Sequence, residues 1–163
     1  MRVIKWMALI LLAIPVAFGA TTFGVEGESY PDVCNPHPRS VGPIHISYIN
    51  CTSENNEVVI VLNGTNEPVD LTGYRLTNAS RGLTFHFRQT PVNEGCCTLG
   101  PNEVFRVHTG LRNYSHFDSP HDLHWLRAPG LPEVERIWDD SGDVAQLLDG
   151  QGHVVDTYGY GQP

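Results

Sequence analysis

The chain has 163 residues, 40% of them hydrophobic and 17% charged, with 16 glycines and 12 prolines. That is enough for one domain with a core, and it excludes a coiled coil, a collagenous repeat and a wholly disordered chain. The formal net charge is −8, which argues against nucleic acid or an anionic membrane surface as a partner, because phosphate binding rests on clustered Lys and Arg.

Arg2 and Lys5 precede an uncharged apolar run of 13 residues from Trp6 to Phe18, with the small residues Ala17 and Gly19 after its centre. This is the pattern of a secretory signal peptide, assigned to residues 1–20. The run falls short of the roughly 18 apolar residues that a membrane span requires. With the peptide cleaved, no membrane-inserted segment is expected, and the loss of Arg2 and Lys5 moves the net charge from −8 to −10. The mature chain then has no lysine. A secreted or cell-surface location follows as an expectation.

Residues 21–42 read as an irregular, proline-rich arm. Four cysteines, Cys34, Cys51, Cys96 and Cys97, form an even set in an exported chain and are expected to be disulfide-bonded. Across a trans peptide, adjacent Cα atoms lie about 3.8 Å apart, shorter than an ordinary disulfide span. The expectation is therefore that Cys96 and Cys97 each reach one of Cys34 and Cys51. A zinc site is disfavoured because no CxxC spacing is present.

From residue 43 the pattern becomes β. Ile44, Ile46 and Tyr48 alternate with polar neighbours, as a strand with one buried face requires. EVVIVL, residues 57–62, is a β-branched run suited to a central strand. Leu71, Tyr74 and Leu76 follow, then Leu83, Phe85 and Phe87 alternating with Thr84, His86 and Arg88, then Phe105 and Val107. Val144–Leu148 and His153–Tyr158, joined by DGQG, read as a hairpin. Helical periodicity is lacking outside the leader, so the residues point to an all-β antiparallel sandwich or barrel. Glu54, Glu57 and Glu67 read as solvated charges beside the EVVIVL strand.

Three elements stand in order along the chain: VVIVLNGTNEPVDLTGYRL (58–76), LGPNEVFRVHTG (99–110) and IWDDSGDVAQLLDGQGHVVDTYGY (137–160). In that order they resemble the lamin tail domain family, an immunoglobulin-like β-sandwich. Tyr74 stands where the family usually has Trp, and Asp139 and Asp140 replace an Asn pair. The resemblance implies an immunoglobulin-like sandwich over residues 43–163, with an insertion at about 111–136 that lies outside the pattern. It also implies a non-catalytic binding or structural module, with an unidentified protein or cell-envelope component as partner and no cofactor.

Four sequons begin at Asn50, Asn63, Asn78 and Asn113. Asn63 coincides with the family's own Asn after the second strand, which implies a turn-binding role. Asn50, Asn78 and Asn113 remain the glycosylation candidates. The insertion places His116, Asp118, His121, Asp122 and His124 within nine residues. His116, His121 and His124 are candidate ligands for a divalent metal such as zinc. The alternative function is accordingly a metal-binding protein or a small metal-dependent hydrolase. Asp139, Asp140 and Asp143 are candidate calcium ligands in a tight turn, although the spacing is not that of an EF-hand and a turn capping backbone groups explains the segment more simply. No catalytic motif such as GxSxG or HExxH occurs. Trp125 and Trp138 are candidates for a carbohydrate platform, with core packing as the plainer fate.

Overall fold

The computed structural model describes residues 34–52, 57–109, 121–125 and 136–162. Ten strands occur among them: β1 (Ile44–Asn50), β2 (Glu57–Asn63), β3 (Val69–Asp70), β4 (Arg75–Asn78), β5 (Leu83–His86), β6 (Thr98–Leu99), β7 (Val104–Thr109), β8 (Asp122–His124), β9 (Gly142–Leu148) and β10 (Val154–Gly161). One four-stranded sheet has the order β1-β2-β7-β8 and the other β10-β9-β4-β5, with β3 and β6 paired apart from both. Among the described residues no segment forms an α-helix. The all-β immunoglobulin-like sandwich is thus the architecture observed, and β9 and β10 form the expected hairpin.

The alternating residues supply the core. Ile46, Val59, Val61, Phe105 and Val107 from one sheet, and Leu76, Phe85, Ala145, Leu147 and Tyr158 from the other, are all buried. β2 is central, as its composition predicts, and its burial alternates between fully and partly covered residues. One pairing departs from the antiparallel expectation. β8 runs parallel to β7, with Arg106, Val107 and His108 opposite Asp122, Leu123 and His124. Part of the segment read as an insertion therefore completes a sheet, and Leu123 joins the core.

The cysteines also depart from expectation. The bridges are Cys34–Cys51, with Cα atoms 6.1 Å apart, and Cys96–Cys97, with Cα atoms 3.1 Å apart. The exclusion of an adjacent pair assumed a trans peptide. The Cys96–Cys97 peptide is cis. The first bridge ties the arm to the end of β1, where the Tyr158 hydroxyl also donates to the Cys34 carbonyl at 2.9 Å.

Glu57 corrects a further expectation, for it is fully buried rather than solvated. Its carboxylate accepts from the Thr109 hydroxyl at 2.7 Å, from the Ile137 N–H at 2.9 Å and from the Trp138 N–H at 3.4 Å. It thereby pins the chain that leads into β9 against β2 and β7. Desolvation pushes its pKa above the usual carboxylate range, opposed by these hydrogen bonds and by the charge of Arg136. Glu57→Ala would leave three buried donors without an acceptor. Chemical denaturation should report a loss of about 3 kcal/mol, and Glu57→Gln, which keeps one oxygen, a smaller one.

Candidate functional site

Every sheet edge carries main-chain N–H and C=O groups that a folded protein must cover or leave open to a partner. Three of the four outer edges here are closed by specific residues. At β1, the Ile46 N–H donates to Asp156 Oδ2 at 2.7 Å, while the Ile46 carbonyl accepts from the Arg39 guanidinium. Arg39 also pairs with the other Asp156 oxygen and lies 4.9 Å from the Tyr158 ring centroid. At β10, the arm lies alongside. The His37 N–H donates to the Gly159 carbonyl at 2.8 Å, and Pro36 bridges to Tyr160. At β8, the Asn93 carboxamide imitates a strand. Its oxygen accepts from the His124 N–H at 2.7 Å and its nitrogen donates to the His124 carbonyl at 3.2 Å.

The fourth edge, β5, is open among the described residues. Its partner β4 pairs Leu76 with Phe85 and Asn78 with Leu83, and the Phe87 N–H donates to the Tyr74 carbonyl at 3.0 Å. That register alternates, so the main-chain groups of Thr84 and His86 point away from β4. Among the described residues none hydrogen-bonds to them.

A cavity of about 230 Å³ lies beside this edge. Phe85 and Trp125 form apolar wall, and Thr84, His86 and Arg88 bring polar groups from the β5 side. Asn93 and His124 form part of the far side. Trp125 is half-buried, 5.9 Å from Phe85 and 6.2 Å from Trp138, ring centroid to ring centroid. Trp138 is wholly in the core, so only Trp125 of that pair reaches the cavity.

Of the proposed metal ligands, His116 lies outside the described residues. His121 and His124 are not brought together, since three positions along extended chain place side chains on opposite faces. His121 packs 5.7 Å from the Phe105 ring and 3.9 Å from Glu103, whereas His124 stacks on His108 at 5.9 Å. His108 in turn approaches Asp122 at 3.0 Å. Among the described residues no group of three or more His, Cys, Asp or Glu is placed to hold a metal ion.

The turn carboxylates are occupied by the backbone. Asp139 accepts from the Ser141 N–H and hydroxyl at 2.9 and 2.6 Å, and Asp143 accepts from the Val144 N–H at 2.9 Å. Asp140 pairs with Arg136 at 2.8 Å. Gly142 and Gly161 face each other here, and a Cβ on Gly161 would collide with the Ser141 carbonyl.

The sequons sort by burial. Asn78 is fully buried, donates to the Ile137 carbonyl and to Asp143 at 2.6 Å each, and accepts from the Arg81 N–H at 2.9 Å. This corrects its candidacy for a glycan, because the amide has no outward access. Asn50 is half-buried and accepts from Thr52 N–H and hydroxyl at 3.3 and 3.2 Å. Asn113 lies outside the described residues. Asn63 is buried and binds the turn. It donates to the carbonyls of Glu67, Leu99 and Gly100 at 2.8 to 3.0 Å and accepts from Thr65.

That Asn63 arrangement joins β2, the PVDL segment and β6 into one unit. The family model of the lamin tail domain matches residues 37–162. The chain belongs to the lamin tail domain family. Among curated proteins no relative matches it. A similar solved structure is the archaellum periplasmic stator protein complex FlaF and FlaG from Sulfolobus acidocaldarius, at 11% identity and a TM-score of 0.37. The match covers 76% of this chain and 92% of that one. A likeness of that order carries no weight for ligand or partner.

Sequence reasoning on this lamin tail domain missed Asn93 as an edge cap and the open side of β5. The alternation of Thr84, His86 and Arg88 shows which side chains share a face, but which strand lies outermost is settled by distant pairing.

Burial is the main cause that holds the His124 pKa below the ordinary imidazole value of 6.5, reinforced by His108 and opposed by Asp122. The fold therefore favours neutral His124. Its contribution is complete above pH 6.5 and is lost as the pH falls through the depressed value. Amide hydrogen exchange, corrected for intrinsic rates, should show β8 losing protection as the pH falls below about 6.5. His124→Phe should flatten that dependence.

Proposed function

We propose that this lamin tail domain is an exported, non-catalytic recognition module that holds a protein or cell-envelope component at the open β5 edge and its adjoining cavity. The observation that carries this reading is the contrast between edges. Arg39 with Asp156, the 36–37 arm and Asn93 pair outward main chain at three of them, whereas at β5 no described residue pairs the outward groups of Thr84 and His86, which lie beside a cavity. A rigid scaffold with one open edge is the arrangement used for strand addition. The non-catalytic part draws support from the polar groups themselves. Glu57, Asn78, Asp139 and Asp143 all have their hydrogen bonds directed at the chain's own segments. Export draws on the N-terminal leader pattern and on a paired cysteine set. Family membership does not name the ligand, because one fold hosts many functions.

Two measurements test the reading. N-terminal sequencing of the protein from the medium or envelope should give a chain beginning near Thr21. Probing peptide and glycan arrays with labelled protein should give captured spots that weaken at least tenfold with Trp125→Ala. An unprocessed chain retained in the cytoplasm would overturn the export assignment. Absence of capture, or capture indifferent to Trp125→Ala, would overturn the recognition site.

A further inference from the structure

We infer that the β5 edge accepts an extended acidic peptide from a partner protein as an added strand, with its main chain pairing to Thr84 and His86 and alternate carboxylates facing His86 and Arg88. The inference rests on the recognition reading above and names the chemistry of its ligand.

The register leaves two N–H and two C=O groups, those of Thr84 and His86, directed outward two residues apart. An extended chain presents its own groups at the same interval, so main-chain pairing needs no rearrangement of β5. Side chains of the added strand would alternate between two environments. On the outer face they would meet Thr84, His86 and Arg88, all exposed, with Arg75 opposite His86 on β4. On the inner face they would meet the cavity beside Phe85 and Trp125. The recognised pattern is therefore acidic residues alternating with apolar ones.

Charge selects the acidic member. The chain as a whole carries 18 Asp and Glu against 10 Lys and Arg, yet among the described residues lining the cavity there is no carboxylate, and Arg88 supplies a positive charge. A local positive charge on an acidic protein orients an anionic partner and disfavours a cationic one at that site, against the sign of the whole chain. Size selects a side chain. At 230 Å³ the cavity is below the roughly 300 Å³ at which sites for small molecules and cofactors begin. A saccharide is the weaker fit, because Trp125 is half-buried against Phe85 and Trp138 instead of presenting a free ring face. A second copy of the chain is also weaker, since β5 against β5 would bring two cationic outer faces together.

The test uses the 15N-labelled protein with two blocked seven-residue peptides, one alternating glutamate and leucine and one with lysine at every glutamate. The glutamate peptide should shift the amide resonances of Thr84 and His86 and the Trp125 indole, bind at least tenfold more tightly than the lysine peptide, and weaken with added salt. Thr84→Pro removes an N–H that makes no bond to β4, so its spectrum should stay native while binding falls at least tenfold. Arg88→Glu, at an exposed position, should reverse the preference between the two peptides. Should Thr84→Pro fail to fold, the Arg88→Glu reversal decides the matter alone. Equal binding of both peptides, no shifts at millimolar peptide, or shifts away from β5 would overturn the inference. Concentration-dependent dimers abolished by Thr84→Pro would overturn it in favour of a second copy. Glycan capture that depends on Trp125 without peptide binding would overturn it while leaving the recognition reading standing.

Discussion

The constraint on which this structure depends is that a sandwich made of two open sheets has four outer edges, and each presents main-chain groups that cannot go unpartnered inside the fold. The chain meets it with side chains and a short arm. Asp156 and Arg39 between them take the N–H and C=O of Ile46, and Asn93 takes those of His124. The same logic fixes the arm, since His37 and Pro36 lie on β10 and the Cys34–Cys51 bridge anchors the start of that path. Against these pairings, the outward main chain of Thr84 and His86 on β5 has no partner among the described residues.

A second consequence concerns polar residues that look functional in the sequence. Glu57, Asn63, Asn78, Asp139 and Asp143 serve as partners for main chain that leaves the regular ladders. Burying a carboxylate or an amide is costly unless its hydrogen bonds are met, and here they are met by loops. In return the loops acquire defined positions. The route from Ile137 into β9 is held by Glu57 from β2 and by Asn78 from β4, one from each sheet. Such defined positions suit the proposed recognition edge, because an added strand gains less if the edge must first be ordered.

The two sides of the sandwich also differ in electrostatic character. Around the Asp139–Asp143 turn, carboxylates crowd near the Tyr160 hydroxyl, whose pKa is pushed upward mainly by burial and further by those negative charges. At β5 the neighbours are Arg75, His86 and Arg88. Under the proposed reading, Arg88 on this edge of an acidic chain distinguishes partners by charge where main-chain pairing alone would accept any extended segment.

Much of the fold was legible from local pattern. Alternation over residues 44–48, 83–88 and 104–107, the β-branched run at 57–62 and the DGQG hairpin follow from the two-residue period of a strand, which needs no tertiary information. The three family motifs also carried the role of Asn63. Short β3, β6 and β8 were not legible, since two or three residues hold no period. The burial of Glu57 and Asn78, the separation of His121 from His124 and the pairing of the cysteines depend on residues far apart in the chain or on a peptide isomer that composition does not encode. The candidate site belongs to this second class. The sequence by itself determined which side chains of β5 share a face, because that is set by the pleat. Only the tertiary structure decided that β5 is an edge, because outermost position is a relation between β4, β9 and β10 and the capping residues that close the other three edges.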